Sequence, residues 1–301
     1  MISGIYAPVT TPFDTAGNIY WEKMADNMHW YSESPLEGLV AAGTNGEAAL
    51  LDVNEKTKLY SFIREKLTPG KKLIVGTGCE STRETIKLNR EAYKCGADAV
   101  LVLNPSYFKN NLDEDTLANH YQIVADSSPL PVILYNMPRN TNLNLSSKLV
   151  IKLAEHPNII GIKDSSGNLT QIGEIIKNCR HDFAVFAGSA SFLLPALIMG
   201  AKGGTLALAN IMPRQCCEIY RLYKSGNIEQ ARKIQLSLLK INNAVTARWG
   251  AAGLKAALDL IGLYGGPPRL PLLPLSEPSI TTLGRIMAEL GLCSQTDPRG
   301  N

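Results

Sequence analysis

Short apolar runs recur along this chain, each a few residues long and closed by Gly, Pro, Asn or a hydroxyl residue. Eight of them read as strands: Gly4–Val9, Gly38–Ala42, Leu73–Gly76, Ala99–Leu103, Pro131–Tyr135, Ile159–Lys163, Ala184–Ala187 and Gly204–Leu208. Between them the apolar positions change to helical spacing. Asp52-Val53-Asn54-Glu55 and Ser81-Thr82-Arg83-Glu84 each set a side-chain acceptor three residues ahead of a glutamate, the pattern of a capping box. Leu59, Phe62 and Ile63 continue the first helix; Ile86, Leu88, Ala92 and Tyr93 continue the second, with Gly96 as its stop. Eight strands alternating with helices predict parallel βα units, and eight is the number that closes a (β/α)8 TIM barrel. An open doubly wound sheet is the alternative. It would carry a Gly-rich phosphate turn after its first strand, and Val9-Thr10-Thr11-Pro12-Phe13 is not one.

Past residue 224 the pattern changes. A long helix is expected from Asn227, with Ile228, Ala231, Ile234, Leu238, Leu239 and Val245 in step. A shorter one fits Ala252–Leu260, then a Gly- and Pro-rich extended link, then a last helix over Ser279–Leu290. The chain therefore divides into a barrel, 1–224, and a C-terminal helical extension, 225–301.

Composition narrows the function. With 301 residues, 45% hydrophobic and 19% charged, the chain has the make-up of a soluble globular protein. A net charge of +3 with no Lys/Arg block argues against a nucleic-acid partner. Met1 to Thr11 lacks the basic start of a signal peptide, and nothing approaches the roughly 18 apolar residues of a membrane span. Six cysteines without a C-x-x-C pair suit a reducing cytoplasm, with neither a disulfide framework nor a zinc site.

Active sites of such barrels lie at the C-terminal ends of the strands. Those positions hold Thr44, Asn45, Ser106, Tyr107, Tyr135, Lys163, Ser165, Ser189 and Thr205, and none of the four histidines. Without clustered His, Asp or Glu, a divalent metal site is not expected. The organising residue is Lys163, which ends the run Ile159-Ile160-Gly161-Ile162. Strand alternation puts Ile159, Gly161 and Lys163 on one face, with Lys163 pointing into the barrel and Asn168 starting the next helix. One amine nucleophile, phenols to move protons and small neutral donors for a carboxylate fit Schiff-base catalysis on a 2-oxo acid.

Three motifs carry a family resemblance: Gly43-Thr44-Asn45-Gly46-Glu47, Tyr135-Asn136-Met137-Pro138 and Gly161-Ile162-Lys163-Asp164-Ser165. In order and spacing they resemble the dihydrodipicolinate synthase / N-acetylneuraminate lyase superfamily of pyruvate-dependent class I aldolases, over nearly the whole chain. The resemblance implies that Lys163 forms the imine and that Tyr135 shuttles protons. It implies that Thr44 links Tyr135 to a second phenol, Tyr107, reaching in from a neighbouring subunit. Thr44 and Asn45 would hold the pyruvate carboxylate, and Ser165 and Thr205 stand at further substrate positions; Ser165 could instead cap the following helix. No cofactor beyond the Lys163 imine is implied. The implied partners are pyruvate, an aldehyde and further copies of the chain, as a dimer of dimers (a homotetramer).

Within the superfamily, longer stretches resemble 4-hydroxy-2-oxoglutarate aldolase, notably His156–Ser165 and Asn243 to Pro267. That implies cleavage of 4-hydroxy-2-oxoglutarate to pyruvate and glyoxylate. Dihydrodipicolinate synthases place an arginine two residues after the motif proline; here Asn140 stands there, with Arg139 one earlier. The positions that bind feedback lysine in many synthases are also unmatched, with Val53, Lys56, Glu80 and Ser106. Glu47 is expected to be a structural carboxylate at a helix start, and Asn142 to tolerate a left-handed turn where glycine is usual. Dihydrodipicolinate synthase, a 2-keto-3-deoxy sugar-acid aldolase and a non-catalytic 2-oxo acid binder remain open.

Overall fold

The structure, a computed structural model, describes residues 2–292; Cys293 and the last residues of the expected extension lie outside the described residues. Eight parallel strands close on themselves: β1 (Gly4–Pro8), β2 (Gly38–Ala41), β3 (Lys72–Gly76), β4 (Ala99–Leu103), β5 (Val132–Asn136), β6 (Ile159–Asp164), β7 (Ala184–Ala187) and β8 (Gly203–Thr205). Pairing of Gly4–Tyr6 with Gly203–Thr205 seals the barrel. The eight expected runs are the eight strands, mostly within a residue at each end. The exception is the last, where the chain leaves the sheet after Thr205 and coils into a tight turn over Ala207–Asn210.

Helices α1 (Trp21–Glu33), α2 (Val53–Lys66), α3 (Thr82–Lys94) and α4 (Glu114–Ser127) alternate with the first strands. They are followed by the single turn α5 (Pro138–Thr141), α6 (Ser147–Leu153), α7 (Leu169–Asn178), α8 (Leu193–Met199) and α9 (Pro213–Lys224). The capping box at Asp52 and Glu55 is formed in both directions. Ser81 accepts from the Glu84 N–H without a reciprocal contact, so it caps α3 as a single acceptor. Asn168 caps α7 by accepting from the Gln171 N–H, which leaves Ser165 to another role.

Two apolar layers follow. One, with Tyr6, Val40, Ile74, Leu101, Ile133 and Phe186, fills the barrel; the larger one fills the space between sheet and helices. Strand β6 corrects the simple alternation. A register shift opposite Val132 and Ile133 makes Ile160 the residue packed inside, whereas Ile159 joins Ile162 in the outer layer. An extra residue in one strand flips every side chain before it, so Ile159 and Lys163 do not share a face. Gly161 lies at the irregularity. A Cβ there would stand 2.3 Å from the Ala184 carbonyl oxygen, so only glycine lets β6 and β7 approach this closely.

The C-terminal extension is more broken than its periodicity suggests. Helix α10 (Ile228–Ser237) ends at Leu238, α11 (Leu239–Asn243) follows, and one wide π turn, Ala244–Arg248, leads into α12 (Gly250–Leu260). Residues 261–276 run without a helix to α13 (Glu277–Ala288). The extension is stitched over the strand ends: Gln235 bonds the backbone of Leu194 and Ala190, and Asn242 donates to Ser189 Oγ.

Candidate active site

Lys163, one residue before the end of β6, stands directly opposite Tyr135, one residue before the end of β5. Both are buried, and the Lys163 ammonium nitrogen lies 4.0 Å from the centre of the Tyr135 ring. The Tyr135 hydroxyl is 3.2 Å from Thr44 Oγ1, and either group can donate. Burial pushes the Tyr135 phenol up. The charge of Lys163 and hydrogen bonding with Thr44, Lys163 and Ser165 outweigh that and hold it below its ordinary value. A phenol depressed beside an amine is a group able to give and take a proton near the reacting carbon.

Thr44 and Asn45 sit on a single turn, Thr44–Gly46, directly after β2. The turn is braced from below by Thr11, whose hydroxyl donates to the Gly46 carbonyl at 2.7 Å. Behind it stands an arrangement that the sequence reading missed. Glu47 stands at the head of the short 3-10 turn Ala48–Leu50 but does not cap it with its side chain; it adopts a left-handed conformation, φ 55°, and pairs with Lys255 of α12 at 2.5 Å, both fully buried. Its other oxygen accepts from the Arg269 N–H at 2.8 Å. The expected structural role of Glu47 at a helix start stands, and its side chain adds to it by tying the Thr44–Gly46 turn to the C-terminal extension.

A second unforeseen arrangement lies behind β5 and β6. Alternation turns Asn136 and Asp164 away from the barrel as it turns Tyr135 and Lys163 inward. The fully buried Asp164 carboxylate accepts from Asn136 and Gln171 at 2.9 Å each, and from the backbone and hydroxyl of Ser166. Asn136 also accepts from the Leu145 N–H and donates to Asn144. Paired polar residues at adjacent strand ends were the available sequence signal. They lock the two strands that carry Lys163 and Tyr135.

One cavity of about 770 Å³ gathers Lys163, Tyr135, Thr44, Asn45, Ser165, Thr205 and Asn140 at the C-terminal mouth of the barrel. Gly188 makes room for Ser165, since a Cβ there would stand 1.9 Å from the Ser165 hydroxyl oxygen. Asn142 takes the left-handed conformation expected of it, φ 53°. Tyr107 is the one expected residue that the chain does not bring to the site. It is 79% exposed on the loop after β4, stacked edge-on against Phe108, with its N–H held by Glu80. Lys56, Glu80 and Ser106 line an adjoining cavity of about 580 Å³ that shares Thr44 and Tyr135.

Among the described residues, no group of three or more His, Cys, Asp or Glu side chains is placed to hold a metal ion. Nor, among them, is any helix long and apolar enough to cross a membrane.

Fold and site together define a (β/α)8 barrel with a lysine–tyrosine pair at its C-terminal mouth. The family model of the dihydrodipicolinate synthetase family matches residues 1–290, and the chain belongs to that family. It is 38% identical to a 4-hydroxy-tetrahydrodipicolinate synthase of Archaeoglobus fulgidus, covering 98% of this chain and 100% of the relative. The crystal structure of dihydrodipicolinate synthase DapA-2 from Bacillus anthracis superposes with a TM-score of 0.91 at 32% identity, covering 99% of this chain and 100% of that one. YagE, an Escherichia coli K12 prophage protein of the same family solved in complex with pyruvate, gives 0.91 at 29% identity, over 97% and 100%. The protein is accordingly a lyase, a pyruvate-dependent aldolase of the Schiff-base type.

Proposed function

We propose that the chain condenses pyruvate with aspartate semialdehyde, as a 4-hydroxy-tetrahydrodipicolinate synthase, through an imine on Lys163. The observation that carries the chemistry is the cross-strand pair of Lys163 and Tyr135, with Thr44 on the Tyr135 hydroxyl. The choice of aldehyde is supported by the name borne by relatives at 34–38% identity. That support outweighs the sequence stretches favouring 4-hydroxy-2-oxoglutarate cleavage.

The free amine of Lys163 adds to the ketone carbon of pyruvate, and water leaves to form the iminium. The pyruvate carboxylate lies against the Thr44–Asn45 turn, whose side chains and N–H groups donate to it. Tyr135 as phenolate removes a proton from the pyruvate methyl carbon, and the electron pair moves into the iminium to give the enamine. The enamine carbon attacks the aldehyde and Tyr135 returns its proton to the new alkoxide; the amino group of the added semialdehyde then attacks the iminium carbon, closing the ring as the bond to Lys163 breaks and the lysine leaves as the free amine. The iminium is the electron sink, so this reading needs no separate cofactor. It includes a homo-oligomer in which Tyr107 of a second copy joins the Thr44–Tyr135 pair, and a cytoplasmic setting.

A second reading, glyoxylate as the aldehyde, is favoured by one observation: Asn140 lines the cavity, and Arg139 donates to the Ala247 carbonyl. Initial rates with pyruvate and aspartate semialdehyde, glyoxylate, glyceraldehyde or N-acetylmannosamine decide between them. The highest kcat/KM with aspartate semialdehyde supports the synthase; the highest with glyoxylate supports the aldolase of 4-hydroxy-2-oxoglutarate.

A further inference from the structure

The cavity that holds Lys163 has an uneven charge. Among the described residues, three cationic side chains line it, Lys163, Arg139 and Arg248, and no aspartate or glutamate does. Lys163 sits at the floor in the barrel, while the two arginines are exposed residues of the rim. Among the described residues, the arginines in ion pairs are Arg64, Arg180, Arg221, Arg232 and Arg269. Neither rim arginine has a carboxylate partner among them, although each is held in place. Arg139 donates to the Ala247 carbonyl, which joins α5 to the π turn. Arg248, next in the chain, lies over the Trp249 ring at 4.2 Å.

The π turn is what brings Arg248 to the rim. One wide turn rotates the residues after it relative to a regular helix, and such turns concentrate at functional sites because they re-aim side chains. Two guanidinium groups on the rim of one cavity, with no counter-charge among the cavity residues, form a place for an anion. A carboxylate suits their planar donor geometry.

We propose that Arg248 is the specificity-determining residue for the aldehyde substrate, gripping a carboxylate on it, with Arg139 as the positioning residue that fixes the π turn. The proposal rests on the aldolase reading above. It restricts the second substrate to aldehydes that carry a carboxylate, and it assigns their recognition to the C-terminal extension. The pyruvate carboxylate is taken at the floor by Thr44 and Asn45, so the two anions of the reaction have separate anchors.

The test compares Arg248→Gln, Arg248→Lys and Arg139→Gln with the unaltered protein in two assays. The first is borohydride trapping of pyruvate on Lys163, which should match the unaltered protein in all three variants. The second is kcat/KM for aspartate semialdehyde, glyoxylate and the neutral glycolaldehyde. Arg248→Gln should lower the two anionic aldehydes roughly 10- to 150-fold, the range of a lost charged hydrogen bond, and leave glycolaldehyde within a factor of about three. Arg248→Lys should recover part of the loss, and Arg139→Gln should lower the anionic aldehydes less than Arg248→Gln. Equal losses for charged and neutral aldehydes, or no loss with the charged ones, would overturn the proposal while intact trapping keeps the aldolase reading. Unaltered protein that traps no pyruvate would overturn both.

Discussion

The ammonium nitrogen of Lys163 lies 4.0 Å from the centre of the Tyr135 ring, and the two are direct cross-strand partners near the ends of β6 and β5. At this distance, with both side chains buried, the charge of Lys163 acts directly on the ionisation of the phenol. The phenol is desolvated, which opposes its ionisation, and the neighbouring cation more than offsets that.

The first consequence concerns titration. An ultraviolet pH titration should show one phenol ionising below the ordinary tyrosine value, and Tyr135→Phe should remove it. Lys163→Met should move it upward, because desolvation then acts without the cation. Tyr135→Phe should still trap pyruvate, with kcat lowered about 10²- to 10⁴-fold, the usual range for a lost general acid–base. A Lys163→Met protein whose lowest phenol stays in place would contradict this coupling.

The Glu47–Lys255 pair makes a prediction about stability. Lys255→Met leaves the Glu47 carboxylate buried without the cation it pairs with, at a cost of about 3–5 kcal/mol. Glu47→Gln combined with Lys255→Met should recover most of that. No uncompensated charge then remains, and the amide carbonyl introduced by Glu47→Gln can still accept from the Arg269 N–H. Urea midpoints of the two singles and the double measure the coupling. Since Glu47 follows the Thr44–Gly46 turn, Lys255→Met should also raise the KM for pyruvate.

His120 makes one about pH. Burial pushes its imidazole down to about 4, only partly opposed by the charge of Glu80, and Nδ1 is hydrogen-bonded to the Thr82 hydroxyl at 2.8 Å. The folded-state value lies below that of the unfolded chain, so on acidification the unfolded chain takes up the proton first. Stability contributed by neutral His120 is complete above pH 6.5 and lost as pH falls toward 4, on the order of 3 kcal/mol in total. Urea unfolding across that window should show this slope, and His120→Gln should flatten it.

The barrel was legible because each strand is a short apolar run with a breaker at both ends, and the count of eight leaves few topologies. That Thr44, Tyr135 and Lys163 meet in one candidate site was legible for a related reason: each follows or closes such a run, where barrel chemistry collects. Local patterns carry no trace of what depends on distant contacts. The Glu47–Lys255 pair joins a barrel loop to the last third of the chain, and nothing near either residue announces it. The π turn escaped because Leu238, Ile241 and Val245 keep an apolar stripe going through it. The register shift at Ile159–Gly161 escaped because both isoleucines are apolar, and only the partner strand tells inside from outside.

Covalent trapping tests the central claim most directly. The protein is incubated with pyruvate, reduced with borohydride, digested and analysed by mass spectrometry. One reduced pyruvyl adduct per chain is expected, on the peptide containing Gly161–Asn168, absent when pyruvate is omitted and absent in Lys163→Ala. An adduct that persists in Lys163→Ala, or one mapped to another lysine such as Lys255 or Lys56, would contradict the account.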